Sequence, residues 1–129
     1  MSIPVILDTD IGSDIDDTWA LAMALGCPEI DLRMVVSATG DTHHRASIVG
    51  KMLEQTGRTD IEIGIGIPTD VGPKNQERWV GDYDLSRYPG TVHEDGVEAM
   101  ADMIMSSSET ITLVCIGPLP NIGALLKRA

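Results

Sequence analysis

The chain has 129 residues and a mass of 13.8 kDa, a size that suits one compact domain. Its 20 acidic residues outnumber its 9 basic ones, and the net charge of −11 argues against nucleic acids and anionic membranes as partners. No apolar run approaches the roughly 20 residues of a membrane-spanning helix, and no signal sequence is apparent. Because Cys27 and Cys115 are far apart and lack metal-ligand spacing, we expect reduced thiols and a cytoplasmic protein.

Short apolar strands alternate with amphipathic helices along the chain. In order, we predict strand 3–7, helix 18–25, strand 31–38, helix 43–55, strand 61–67, helix 97–104, strand 110–116 and helix 121–128. This alternation predicts an α/β fold, an open Rossmann-like and mainly parallel sheet with helices on both faces. The glycines of the third strand predict a close approach between backbones.

Five acids lie within ten residues that connect the first strand to the first helix, around the flexible Gly12. They are Asp8, Asp10, Asp14, Asp16 and Asp17. Two carboxylates about 4 Å apart repel each other by about 4 kcal/mol at an effective dielectric constant of about 20, and the helix N-terminus offsets only part of this. The cluster therefore needs a bound cation, shared protons or side chains that point apart.

Residues 68–95 show no sustained period and predict a long loop within a single domain of residues 1–129. The loop holds Trp79, Tyr83 and Tyr88, three of the four aromatic residues. These rings are able either to cover a ring-shaped ligand or to fasten the loop to the body of the domain.

The carboxyl ends of the predicted strands share one edge of the sheet, where open α/β folds bind their ligands. The residues that the sequence brings to this edge are Asp8, Asp10, Gly40, Asp41, Gly66 and Gly117. Their types favour a ligand site, although ordinary loops also contain glycine and aspartate.

Two known kinds of acidic loop differ from this turn: an EF-hand loop does not match it, and a haloacid dehalogenase-like motif matches it in part. An EF-hand that began at Asp8 would need glycine in place of Ser13 and glutamate in place of Trp19. A haloacid dehalogenase-like phosphohydrolase would begin as this turn does, with Asp-x-Asp, but would have Thr or Val where Gly12 stands. A phosphohydrolase in which Asp8 is phosphorylated remains one alternative.

The sequence from Asp8 to Asp17, Asp-Thr-Asp-Ile-Gly-Ser-Asp-Ile-Asp-Asp, resembles a lengthened form of the signature of the inosine–uridine-preferring nucleoside hydrolases. Residues 110–122, which contain Gly-Pro-Leu-Pro-Asn-Ile, are similar to a second segment of that family, and 28–32, Gly40 and 57–61 resemble further landmarks. The resemblance covers nearly the whole chain and corresponds to the N-terminal portion of the family's usual length. It implies calcium-dependent hydrolysis of the N-glycosidic bond of ribonucleosides, with free base and ribose as products.

The resemblance also implies individual roles. Asp10 would bind calcium and act as the general base, while Asp17 and the backbone carbonyl of Ile116 would be further calcium ligands. Asp16 would bind the ribose hydroxyls. Calcium takes six to eight oxygen ligands, acidifies water and relieves the repulsion between carboxylates, so the physical chemistry agrees with these roles.

Three positions extend the family pattern or depart from it. Asp41 stands where the family often has a ribose-binding asparagine, and we assign it to the substrate. Two residues are inserted before the final Asp pair, which makes Asp14 an extra acid. Asp8 and Asp14 are both predicted to support the turn around the metal.

Three functions follow from the sequence. The first is a calcium-dependent nucleoside hydrolase of purine and pyrimidine salvage, the second a catalytically inactive metal-binding or assembly fragment of that fold, and the third the phosphohydrolase. The family's C-terminal half supplies further metal and substrate residues. We therefore expect a complementary C-terminal portion, or a homo-oligomer formed through apolar surface at the open edge of the sheet.

Overall fold

The computed structural model of the protein describes residues 2–70 and 75–128. In chain order, its elements are β1 (Ile3–Thr9), α1 (Asp16–Gly26), β2 (Ile30–Ser37), α2 (Thr42–Gln55), β3 (Glu62–Gly64), α3 (Glu77–Val80), a 3₁₀ helix (Leu85–Arg87), β4 (Val92–His93), α4 (Gly96–Ser106), β5 (Thr112–Cys115) and α5 (Pro120–Arg128). Every strand and helix predicted from the sequence is present, with shifted ends. Within the described ranges, no helix has the length and apolar character needed to cross a membrane.

The described strands form one sheet in the order β4-β3-β2-β1-β5, and every pairing in it is parallel. β1 is paired on both sides, with β2 along its whole length and with β5 from Val5 to Asp8. The chain moves outward from β1 to β4 and then returns to the other side of β1. The strand order therefore reverses between β1 and β5, and ligands of open α/β sheets bind at the carboxyl edge of such a reversal.

Helices cover both faces of the sheet, as predicted. Val5 and Leu7 of β1 belong to a core that includes residues of α1 and α2, whereas Ile6 belongs to a second core with residues of α4. Strands buried on both faces need near-continuous apolar runs, and this is why the pattern of β1 predicted a parallel sheet. The fold class predicted from the sequence is confirmed.

The segment predicted as a loop, residues 68–95, is partly folded, and its residues 71–74 lie outside the described ranges. It contains α3, the 3₁₀ helix and β4, which pairs with β3 at one edge of the sheet. The Tyr88 ring is buried and its hydroxyl donates to the Ile61 carbonyl at 2.5 Å, while the Tyr83 hydroxyl donates to Glu54 at 3.0 Å. These two rings fasten the segment to the body. The prediction of an unbroken loop was wrong here because elements of two to four residues are too short to show a period.

Gly66 lies where the segment after β3 meets β2 and α5. Its N–H donates to the Ser37 hydroxyl at 3.2 Å, and a Cβ on Gly66 would overlap the Ser37 carbonyl oxygen and lie 2.5 Å from Asn121 Nδ2. Gly64 is similar, since a Cβ there would lie 2.9 Å from the Cα of Gly96. The close backbone approach predicted from the glycines of the third strand is confirmed.

We expect Gly66→Ala to lower the free energy of unfolding by about 1–3 kcal/mol, because the added methyl forces apart backbone that has no room to move. Denaturant titration measures this difference. Gly123→Ala is the matched control, since nothing lies within 4 Å of a Cβ at that position of α5, and helix propensity predicts a gain of up to about 1 kcal/mol. Equal stability of the two variants would contradict the packing described here.

Candidate active site

The acidic turn between β1 and α1 lies against the backbone that follows β5. The Ile116 N–H donates to the Asp8 carbonyl at 2.9 Å, which extends the β1–β5 ladder by one residue. A Cβ on Gly117 would lie 3.0 Å from the Cγ of Asp10. Because glycine has no side chain, the Ile116–Gly117 backbone is able to pack directly on Asp10. Two of the predicted calcium ligands, Asp10 and Ile116, are therefore neighbours at the strand-order reversal.

Asp17 lies in the first turn of α1 and is only 5% exposed. The Thr9 hydroxyl donates to its Oδ2 at 2.7 Å. Burial is the largest cause that raises the pKa of Asp17, to about 6, and a hydrogen bond with the Asp10 carboxyl is the next; the nearby charge of Asp16 adds to it. Asp10 is thus close enough to Asp17 to oppose its ionisation, as the density of acids in the sequence indicated.

Asp8 is fully buried beneath this pair. Its Oδ2 accepts from Asn121 Nδ2 at 2.9 Å, and its Oδ1 has no hydrogen-bond partner among the described residues. Burial raises the pKa of Asp8, while the hydrogen bond from Asn121 opposes that rise and the charge of Asp10 adds to it. Asp8 is therefore held in the interior by Asn121, and its supporting role at the metal stays a prediction.

Asn121 joins the carboxyl ends of three strands to α5. Besides its bond to Asp8, its amide donates to the Ser37 carbonyl at 2.9 Å, and its Oδ1 accepts from the Ile67 N–H at 2.9 Å. The side chain is fully buried, so all of these bonds form away from water. Asn121 consequently fixes the ends of β1 and β2 and the chain after β3 relative to one another.

The remaining predicted site residues lie further out. Asp14 and Asp16 are exposed, although Asp16 is adjacent to Asp17 on the first turn of α1. Asp41 caps α2, since its Oδ1 accepts from the His44 N–H at 3.0 Å. The structure thus brings Asp8, Asp10, Asp17 and Ile116 together. Asp14 lies on the connection between β1 and α1, Asp16 begins α1, and Asp41 lies at the start of α2.

The donors of this site suit a hard divalent cation. Among residues 2–70 and 75–128, no group of three or more His, Cys, Asp or Glu side chains is placed to hold a metal ion. The described donors are instead two neighbouring carboxylates, Asp10 and Asp17, beside the Ile116–Gly117 backbone. Carboxylate and carbonyl oxygens are the ligands that calcium takes, and a cation between the carboxylates removes their repulsion. The residues present fit calcium in kind and leave coordination positions for water or substrate.

Sequence reasoning missed three residues that shape this site: Arg45, Thr9 and Asn121. Arg45 is buried and donates to the backbone of the acidic turn. Its position in the sequence gave a signal, because it precedes Ile48 and Val49 by three and four residues and so shares the apolar face of its helix. A charged residue on a core-facing stripe is rarely buried without polar partners.

We expect Asp17→Asn to change how the stability of the metal-free protein depends on pH. The folded-state pKa of Asp17, about 6, lies above the ordinary value of 3.8. The folded chain therefore holds this proton more tightly, and the stability it contributes is present at low pH and lost as the pH rises through this range. In chelator, the unfolding temperature of the variant relative to wild type should rise between about pH 4 and about pH 7.

Asp102→Asn, which removes an exposed carboxylate of α4, is the control for this measurement. The difference between each variant and wild type cancels the contributions of acids that are distant from the substituted residue. If the two variants show the same pH dependence, folding does not raise the pKa of Asp17.

Comparison with known proteins places the whole chain among nucleoside hydrolases. A sequence profile described as inosine-uridine preferring nucleoside hydrolase matches residues 5–129. The non-specific ribonucleoside hydrolase RihC of Klebsiella pneumoniae subsp. pneumoniae is 34% identical in an alignment 139 residues long, gaps included. The alignment covers 99% of this chain and 44% of that protein. RihC of Escherichia fergusonii is 30% identical over 146 residues, with the same coverage of 99% and 44%. The chain thus spans less than half the length of these relatives.

Solved structures share the fold. A plant nucleoside hydrolase, the PpNRh1 enzyme, superposes with a TM-score of 0.81 at 23% identity and covers 100% of this chain and 44% of its own. The purine-preferring ribonucleoside hydrolase from Gardnerella vaginalis superposes with a TM-score of 0.76 at 24% identity, over 98% of this chain and 44% of its own.

Proposed function

Because the chain belongs to the inosine-uridine preferring nucleoside hydrolase family, we propose that it forms the metal- and ribose-binding portion of an enzyme that hydrolyses the N-glycosidic bond of ribonucleosides. The observation that carries this proposal is the closeness of the Asp10 and Asp17 carboxylates beside the Ile116–Gly117 backbone. The relatives named as ribonucleoside hydrolases support the substrate class.

We assign calcium to this site. Asp10 and Asp17 would hold it through their carboxylates, and Ile116 through its backbone carbonyl. When bound, the cation balances the charge of the carboxylates and lowers the pKa of water beside it. The exposed carboxylates of Asp16 and Asp14 and the net charge of −11 favour the approach of any cation to this edge.

The chain's own residues then divide the chemistry. Asp10 takes a proton from the water that attacks the anomeric carbon of the ribose. As the new C–O bond forms, the C–N bond breaks and its electron pair leaves with the base, through an oxocarbenium-like state. Asp16 and Asp41 hold the ribose hydroxyls. Asp8, fixed by Asn121, supports the turn from below.

A phosphohydrolase is less consistent with the structure. That alternative needs the Asp8 carboxylate to attack a phosphoryl group, so the side chain would have to face the substrate. Asp8 is instead fully buried, and one of its oxygens accepts from Asn121 at 2.9 Å. We therefore favour the hydrolysis of nucleosides over the transfer of phosphoryl groups.

We also propose cytoplasmic salvage of purine and pyrimidine nucleosides as the setting of this activity. Cys27 and Cys115 are free thiols in the structure, which is in keeping with a reducing compartment.

We expect release of free base and ribose from inosine or uridine to require calcium and to stop in chelator. Asp10→Asn should lower kcat by about 10²–10⁴-fold, because an amide cannot accept the proton from water. Product chromatography measures the rates, and the exposed Asp102→Asn variant serves as the control. Activity that persists in chelator would contradict the assigned roles. Calcium binding without turnover would instead favour an inactive metal-binding or assembly fragment.

The outer edge of the sheet gives the proposal a second component. β5 is paired on one side only in the described ranges, and Val114 on it is 37% exposed. Trp19 and Met23, on one side of α1, are 68% and 74% exposed. We propose that this edge pairs with a complementary C-terminal portion such as the relatives' remaining length provides, or with a second copy when no such portion is present.

We expect the chain alone to sediment as a dimer or larger species. Val114→Lys, which places a charge on the open edge strand, should shift it to monomer, whereas Met105→Lys on α4, where the side chain is 82% exposed, should not. Adding the C-terminal portion of a relative should replace the self-associated species with a one-to-one complex. A wild-type chain that is monomeric and does not bind this C-terminal portion would contradict the proposed edge pairing.

A further inference from the structure

We propose that Arg45 is a positioning residue that holds the acidic turn in its cation-binding shape. Its guanidinium fixes the backbone from which the Asp10 carboxylate projects, and thereby sets the affinity of the site for a divalent cation. The identity of that cation as calcium rests on the proposed function, while the positioning itself rests on the contacts of Arg45.

Arg45 joins two loops at the carboxyl edge of the sheet. It projects from the first turns of α2 and is only 4% exposed. Its Nη1 donates to the carbonyl oxygens of Asp10, at 2.9 Å, and Ile11, at 3.1 Å. Its Nε donates to the Thr39 carbonyl at 2.8 Å. One buried cation therefore connects the turn after β1 to the turn after β2, through charge-assisted bonds that are stronger than neutral ones.

Both loops are shaped around the guanidinium by glycines in the left-handed region. Gly12 has φ +103° and Gly40 has φ +60°, conformations that other residues rarely adopt. A Cβ on Gly40 would lie 2.9 Å from Arg45 Nη2, and one on Gly12 would lie 3.4 Å from Nη1 and 2.8 Å from the Ile48 side chain. The two turns thus pack against different nitrogens of the Arg45 guanidinium, and neither has room for a side chain.

This arrangement opposes the force that would otherwise open the turn. The Asp10 and Asp17 side chains lie within hydrogen-bonding distance of each other. Two charged carboxylates this close repel each other, so in the absence of a cation they tend to move apart. Arg45 holds the Asp10 and Ile11 carbonyls and adds a positive charge behind them, which keeps the ligands in place before a cation arrives. Preorganisation of this kind strengthens binding, because less ordering remains to be done on association.

The experiment compares Arg45→Lys with wild type. Lysine keeps the charge but lacks the planar fork that reaches both loops. Arg58→Lys is the matched control, because Arg58 is a partly exposed arginine paired with Asp60 at 3.1 Å. Titration calorimetry of calcium-stripped protein should show about tenfold weaker calcium binding for Arg45→Lys, within the range known for outer supporting residues, and no change for Arg58→Lys.

A second measurement on the stripped protein needs no metal. The amides of Ile11, bonded to the Thr9 hydroxyl at 3.1 Å, and Ser13, bonded to the Asp10 carbonyl at 3.2 Å, report on the turn. They should exchange hydrogen about tenfold faster in Arg45→Lys, while the Ile63 amide in the sheet keeps its wild-type rate. Gly40→Ala, which displaces the guanidinium, should act as Arg45→Lys does, and Gly26→Ala, with open space around its Cβ, should act as wild type.

The two measurements separate this inference from the proposed function. If wild type binds no calcium but its turn amides exchange faster in Arg45→Lys, the calcium assignment fails and the positioning role of Arg45 stands. If Arg45→Lys lowers only the unfolding temperature, with calcium affinity and turn exchange as in wild type, Arg45 is a purely structural residue and the inference is overturned.

Discussion

The mutual repulsion of two carboxylates in a poorly hydrated turn is the constraint on which the rest of the site depends. Asp17 is nearly buried beside Asp10, and its pKa rises to about 6 as a result. A proton shared by the two carboxyl groups, bonds that hold the turn, and a counter-charge each make such a pair tolerable. The Thr9 hydroxyl, the Asn121 amide and the Arg45 guanidinium supply the bonds, and a divalent cation would supply the counter-charge.

The fold serves this constraint by bringing rigid backbone to the turn from several directions. β1 is hydrogen-bonded on both sides, to β2 and to β5, so the acidic turn follows a strand that is held by two neighbours. Gly117 and Gly66 let neighbouring backbones approach without a side chain between them. From the far side, the Asn75 N–H donates to the Gly12 carbonyl at 3.0 Å. Neighbouring backbone thus holds the first half of the turn, although Asp14 and Asp16 further along it remain exposed.

Most of the fold was predictable from the sequence because buried parallel strands and amphipathic helices have clear periods. β4, with two residues, has none, and for that reason residues 68–95 were predicted as a loop. At the site, the number and spacing of the aspartates predicted where the carboxylates would gather. The bonds that hold the aspartates could not be predicted in this way. Asn121 contacts Asp8 across 113 residues, and Arg45 reaches the Asp10 and Ile11 carbonyls only because α2 packs beside the turn. The spacing of Arg45 on its helix indicates that it is buried with polar partners, but spacing does not identify which groups those partners are.

The pairing of β1 with β5 also governs when the site can form. Among the described strands, β1 is synthesised first and its neighbour β5 last, and the Asp8–Asn121 bond forms only after the helix that follows β5 has been made. Contacts this distant in sequence slow folding, since a long loop must close before they contribute stability. On the ribosome, the nascent chain must therefore carry its acidic turn half-assembled until nearly all of these residues have emerged.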